Sequence, residues 1–320
     1  MLQIFRKDRD VIGWTLAMCV AVGGGSASPL KVVATTGMVG DVARHVAGER
    51  ANVSTIMGEG VDPHLYKPLA SDIRRIMAAD VVFYNGLKLE GRMGDIFERA
   101  AARGRFVRPV AAMVDESFLL EPEGQPGHPD PHVWMDVKAW MAATDAVAIA
   151  MCQADPDGCD TFKKNAAAYR VELAALDNYV RTVIASIPPG RRVLVTAHDA
   201  FNYFGRAYGI EVMGIQGIST ESEAGLADVN AIVSMLVDRE VPAVFVESSV
   251  PDKYVRALVE GAAAKGHEVV VGGELFSDAM GRPGSWEGTY LGMIDHNATT
   301  IARSLGGTVP SGGLRGEAAK

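Results

Sequence analysis

Positive charge is in short supply. Lys and Arg number 31 against 39 Asp and Glu, a net charge of −8, whereas phosphate binding needs a basic face, so nucleic acid is excluded as a partner. Beyond the first thirty residues no apolar run is long enough to cross a bilayer. Neither H-E-x-x-H nor G-x-S-x-G occurs, which removes the commonest metalloprotease and serine-hydrolase signatures. Long exposed loops and anchoring repeats, as a surface adhesin would need, are missing too. Cysteine is limited to three. With 320 residues and 48% hydrophobic content, the chain is long enough for two domain-sized cores.

The N-terminus reads as an export signal. Arg6, Lys7 and Arg9 precede an apolar run from Val11 to Val22, and small residues follow from Gly23 to Ser28. That layout predicts a secretory signal peptide over residues 1–27, cleaved after Ala27, and a periplasmic mature protein. The alternative is a lipid anchor at Cys19, after Leu16-Ala17-Met18, but Met18 stands where a lipobox has a small residue. Cys152 and Cys159 flank the turn sequence QADPDG. In an oxidising compartment an even pair this close reads as a disulfide, the alternative being two unpaired thiols at a helix junction. No His or Cys stands near them to make a metal site.

The mature chain alternates short β-branched runs with amphipathic helical patterns, the pattern of parallel α/β units. Strands are expected at Lys31–Thr36, Val53–Met57, Asp80–Asn85 and from Phe106, then at Arg192–Thr196, Ile210–Met213, Ala243–Glu247 and Glu268–Gly272. Between the two series, Asp160 to Ile187 contains no Gly or Pro and repeats apolar residues at three and four, giving a helix of about seven turns. Pro188-Pro189-Gly190 closes it. The expected organisation is an N-terminal lobe over 28–155, a linking helix over 156–189 and a C-terminal lobe over 190–320. A single long connecting helix predicts a modest closure rather than a wide hinge motion.

Four segments each offer one good ligand for a divalent first-row ion: VDPHLYKP (His64), DPHVWMD (His132), TAHDAFNYF (His198) and GGELFSDAMG (Asp278). Three imidazoles and a carboxylate suit such an ion, and separations of more than sixty residues exclude a local knuckle or finger. Asp-Pro-His occurs twice, and proline restricts both itself and the residue before it, pre-setting each loop. His198 follows an apolar strand, where ligands of open α/β sheets gather; a hydrogen-bonded core imidazole is its plainer reading. Asp278 taken alone is as well read as a helix cap or turn aspartate. His45, His267 and His296 read as structural or solvated, and His128 lies in the loop LLEPEGQPGHPD. A zinc hydrolase built on the same cluster is the rival function, though four protein ligands leave little room for an activated water.

These motifs, in this order and with the long helix between the second and third, resemble the TroA-like solute-binding proteins (family 9) of ABC importers, which capture zinc or manganese outside the cytoplasmic membrane. The resemblance runs from about Lys31 to Leu305. It implies two parallel-sheet lobes joined by a single backbone helix, the ion in the cleft between them, His64 and His132 from the first lobe, His198 and Asp278 from the second. LFSDAMG matches the family's motif and supports Asp278 as a ligand. It further implies a monomeric binding protein rather than an enzyme, one transported Mn2+ or Zn2+ per chain, and a membrane permease with its ATPase as partners. Many manganese-selective relatives carry Glu where this chain has His198, which leaves the ion open. The stretch GIQGISTESEAG matches the family as well, with Glu221 and Glu223 expected to line or cap a helix start near the cleft.

Overall fold

The computed structural model describes residues 28–122 and 127–318; the expected signal peptide and Cys19 lie outside them. The first half builds β1 (Leu30–Ala34), α1 (Gly37–Ala47), β2 (Ala51–Thr55), α2 (Ala70–Ala78), β3 (Val81–Tyr84), α3 (Gly94–Ala102) and β4 (Phe106–Pro109). All pairings are parallel, in the order β2-β1-β3-β4. Side chains alternate faces along a strand, and both faces here are covered. Val32, Ala34, Val81 and Phe83 join the main core with α1, while Val33 and Val82 pack with Ile76, Ile96 and Phe97 of α2 and α3. Burial on both sides is what makes β1 and β3 read as continuous apolar runs.

Two helices lead into the second half, α4 (Val137–Ala154) and α5 (Cys159–Ala185), followed by β5 (Val193–His198), α6 (Asn202–Tyr208), β6 (Glu211–Gln216), α7 (Leu226–Asp238), β7 (Ala243–Glu247), α8 (Lys253–Ala264), β8 (Val270–Leu275), α9 (Tyr290–Ser304) and α10 (Gly313–Ala318). β5 pairs with β6 and β7 with β8, both parallel, and β5 lies beside β7. The fold is therefore α/β with two parallel-sheet lobes joined through one long helix, as the sequence predicts.

α5 has 27 residues, about 40 Å at the usual rise. It packs on α1, α4, α6 and α9, and its Phe162, Tyr169, Leu173, Leu176 and Val183 are buried in a core that runs without a break from strands of the first half to helices of the second. Cys152 near the end of α4 and Cys159 at the start of α5 are disulfide-bonded. Arg50 adds an ion pair to Asp155 in the same turn at 2.7 Å.

Two elements depart from the sequence reading. The sequence pattern does not mark α4: VKAWMAATDAVAIAMCQA is apolar on nearly every side and shows little polar-apolar periodicity. β8 ends at Leu275 rather than Gly272, so Asp278 follows the strand by three residues instead of six. Gly272-Gly273 reads as a stop but lies inside the strand, beside a shift in the β7–β8 register between Val244 and Phe245. A Cβ on Gly272 would stand 2.8 Å from the Phe245 ring and from the Ser304 side chain, and Gly273 takes φ 149°, so glycine here serves close packing and an unusual backbone.

Candidate metal centre

His64 sits on the loop between β2 and α2, His132 on the turn entering α4, His198 is the last residue of β5, and Asp278 follows β8. The structure brings all four together: one ligand atom from each lies within 4.8 Å of the others, and all four side chains are buried. Nε2 of His64 is 3.3 Å from Nε2 of His132. Oδ1 of Asp278 is 3.3 Å from His132 Nε2, and Oδ2 is 3.2 Å from His198 Nε2 and 3.6 Å from His64 Nε2. Two ligands of a tetrahedral ion held at about 2.0–2.1 Å are separated by about 3.3–3.4 Å, so these contacts have the spacing of groups that share an ion. Both Asp278 oxygens and His198 Nε2 are buried without any aligned hydrogen bond. An ionised carboxylate left so is costly, and a cation among the four groups would satisfy it.

The two Asp-Pro-His copies work through their aspartates. Asp62 Oδ1 accepts the backbone N–H of His64 at 2.8 Å, and Asp130 Oδ1 accepts that of His132 at 2.9 Å, so each aspartate fixes the backbone that carries its histidine. Asp130 does more. Its Oδ1 also lies 2.6 Å from His132 Nδ1, leaving Nε2 to face the cluster; Asn202 donates to Oδ2 at 3.1 Å and Tyr203 to its carbonyl at 2.9 Å. His198 has Glu247, the last residue of β7. Glu247 Oε1 accepts the His198 backbone N–H at 2.8 Å, and Oε2 approaches Nδ1 to 2.6 Å, a charge contact whose angle falls outside hydrogen-bond alignment. Such carboxylates orient an imidazole and raise its basicity.

The electrostatics follow from these partners. Burial alone would lower the His132 pKa, but Asp130 and Asp278 outweigh it and hold the pKa at about 9. His198 is likewise driven well above 6.5 against its burial, by Glu247 and Asp278. His64, whose neighbours include the other two imidazoles, is lowered by burial despite Asp278. Asp278 is held well below the usual carboxylate range: burial opposes this, and His198 and His132 overcome it.

The remaining histidines stand apart. His45 stacks on Tyr169 at 4.0 Å, His267 and His296 contact the carbonyls of Val241 and Glu274, and His128 meets Lys88. Glu223 accepts from Lys253 and Tyr254, while Glu221 pairs with Arg92 of the first lobe at 3.4 Å.

A family model described as ZnuA, the periplasmic component A of a zinc-uptake complex, matches residues 32–304. The chain belongs to this family. Among ZnuA-type relatives, the manganese-binding lipoprotein MntA of Bacillus subtilis is 45% identical over 285 residues, covering 89% of this chain and 92% of MntA. The solved structure of the periplasmic zinc-binding protein TroA from Treponema pallidum superposes with a TM-score of 0.84 at 45% identity, over 87% of this chain and 99% of TroA. The Fe(III)-bound YtgA of Chlamydia trachomatis gives 0.79 at 26% identity over 87% and 99%. The ZnuA family comprises extracytoplasmic metal-binding components of ABC importers, not enzymes, and the hydrolase alternative gains no support from these matches.

Proposed function

We propose that this chain captures one divalent ion, manganese or zinc, between its lobes through His64, His132, His198 and Asp278, and hands it to a membrane permease driven by an ATPase. The observation that carries the reading is the convergence of four buried groups from four distant segments, with both Asp278 oxygens facing imidazoles but making no aligned hydrogen bond. Both oxygens of Asp278 face imidazoles, Oδ1 towards His132 and Oδ2 towards His64 and His198. Five donors suit manganese better than a four-ligand tetrahedron does, while three nitrogens keep zinc competitive by the divalent stability order.

In this reading residues 28–155 and 190–320 are the working lobes, 156–189 the connection, and the mature protein acts as a monomer. Its unbroken core around α5 favours a small closing movement. Export proceeds through a signal peptide over residues 1–27. The lipoprotein name of MntA favours weighing an anchor at Cys19 as the second form of the same export, and the mass of the mature N-terminus decides between cleavage after Ala27 and a lipidated Cys19.

The experiment is metal analysis of purified protein against single Ala substitutions at His64, His132, His198 and Asp278, with Zn2+ and Mn2+ in competition. Stoichiometric binding by the parent and loss in each variant is expected. A variant that binds undiminished removes its residue from the ligand set.

A further inference from the structure

The segment GIQGISTESEAG reaches from the second lobe to the first. Thr220 Oγ1 donates to Asp62 Oδ2 at 2.5 Å, joining the second lobe to the loop that carries His64. The same Asp62 holds His64 through its other oxygen, accepting the backbone N–H of His64 at 2.8 Å and that of Leu65 at 3.4 Å. Gln216, at the end of β6, donates to the Ser222 carbonyl at 3.0 Å and ties the segment back to its own sheet.

His64 is the ligand candidate with the weakest local support. His132 and His198 each have a carboxylate 2.6 Å from Nδ1 and are 0% exposed. His64 makes no such contact from Nδ1 among the described interactions and is 6% exposed, the most of the four. Its position rests on Asp62, and that of Asp62 on a hydroxyl from the opposite lobe.

We propose that Thr220 is a positioning residue, a latch from the second lobe that holds the Asp62–His64 loop closed over the ion and sets how fast the ion leaves. This rests on the proposal that His64 is a ligand. Parting the lobes breaks the Thr220–Asp62 bond and frees Asp62, and His64 then withdraws while His132 and His198 stay clamped. The ion leaves through the His64 side. The neighbouring Arg92–Glu221 pair spans the same gap at 3.4 Å between half-exposed side chains and contributes little, as exposed ion pairs do.

The test is the release rate of Mn2+ and of Zn2+ from loaded protein on mixing with excess chelator, for the parent and for Thr220→Val, Thr220→Ser and Arg92→Gln. Losing a hydrogen bond to a charged acceptor predicts release about tenfold to a hundredfold faster in Thr220→Val. Thr220→Ser, which keeps the hydroxyl, should stay within about twofold of the parent, as should Arg92→Gln. A Thr220→Val rate within twofold of the parent overturns the latch, as does a Thr220→Ser rate as fast as that of Val. His64→Ala separates the two proposals: if it binds metal like the parent, the ligand assignment is wrong; if it loses metal while Thr220→Val releases normally, only the latch is.

Discussion

Protons and the ion compete for the same lone pairs, and the structure makes that competition unusually strong at two of the three imidazoles. Asp130 and Asp278 keep the His132 pKa at about 9, so at pH 7 the ring must give up a proton held two units above ambient. At about 1.4 kcal/mol per unit this costs roughly 3 kcal/mol, or about a hundredfold in apparent affinity. His198 is raised too and yields a second proton, whereas Asp278 stays ionised. The proton from His132 alone predicts a fall of about a hundredfold in apparent affinity from pH 8 to pH 6, and one from His198 steepens it. Unperturbed imidazoles would place the loss near ~6.5 and below, with little change above it. The assay is chelator competition at pH 6, 7 and 8 at fixed ionic strength, with calorimetry in buffers of different ionisation enthalpy to count protons. The metal-free protein should show the opposite trend. A raised folded-state pKa stabilises below the unfolded value of ~6.5 and loses that contribution as pH climbs through about 9, so melting should decline over that window. Affinity that is flat between pH 8 and 7, with no proton released, would refute the argument.

Asp130→Asn keeps the size of the side chain but removes the charge beside His132 Nδ1, and should weaken metal binding about tenfold to a hundredfold in equilibrium titration, with the proton count falling towards one. Replacing both Cys152 and Cys159 with Ser opens a short loop and should cost roughly 2–3 kcal/mol in denaturant unfolding, with stoichiometric metal binding retained; no reactive thiol should be found in the denatured, unreduced parent. Leu173→Ala, at a fully buried position of α5, should cost about 2–5 kcal/mol in a single unfolding transition, because the core it lines is continuous between the halves; two separated transitions would show that the halves melt independently.

The sheets were legible because parallel strands covered on both faces leave short, β-branched or aromatic apolar runs bounded by turn residues, as Val81 to Tyr84 and Val193 to Ala197 do. α5 was legible for the complementary reason: it is long, free of Gly and Pro, and buries one stripe while exposing the other. α4 carries no such contrast, since a helix enclosed by the core on most sides has no polar face to set its period. Gly272-Gly273 misled because glycine marks both turns and strand positions where another group comes too close for a side chain.

At the metal centre the four candidate ligands could be named from local motifs, whereas the residues that tune them could not, and the difference is one of distance along the chain. Within Asp-Pro-His the proline restricts the backbone, but the stronger signal is the aspartate, two residues ahead of a backbone N–H it can reach. Glu247 closes an otherwise apolar strand, AVFVE. A carboxylate at the buried end of such a strand calls for a charged or donating partner, and that partner, His198, lies 49 residues away. Thr220 lies 158 residues from Asp62, and nothing local in its segment points to that partner. Each of these contacts exists only because the strands deliver their carboxyl ends to one cleft. Sequence thus exposes the candidate ligands, because their chemistry is scarce, while the residues proposed to govern proton competition and release are ordinary ones made specific by the fold.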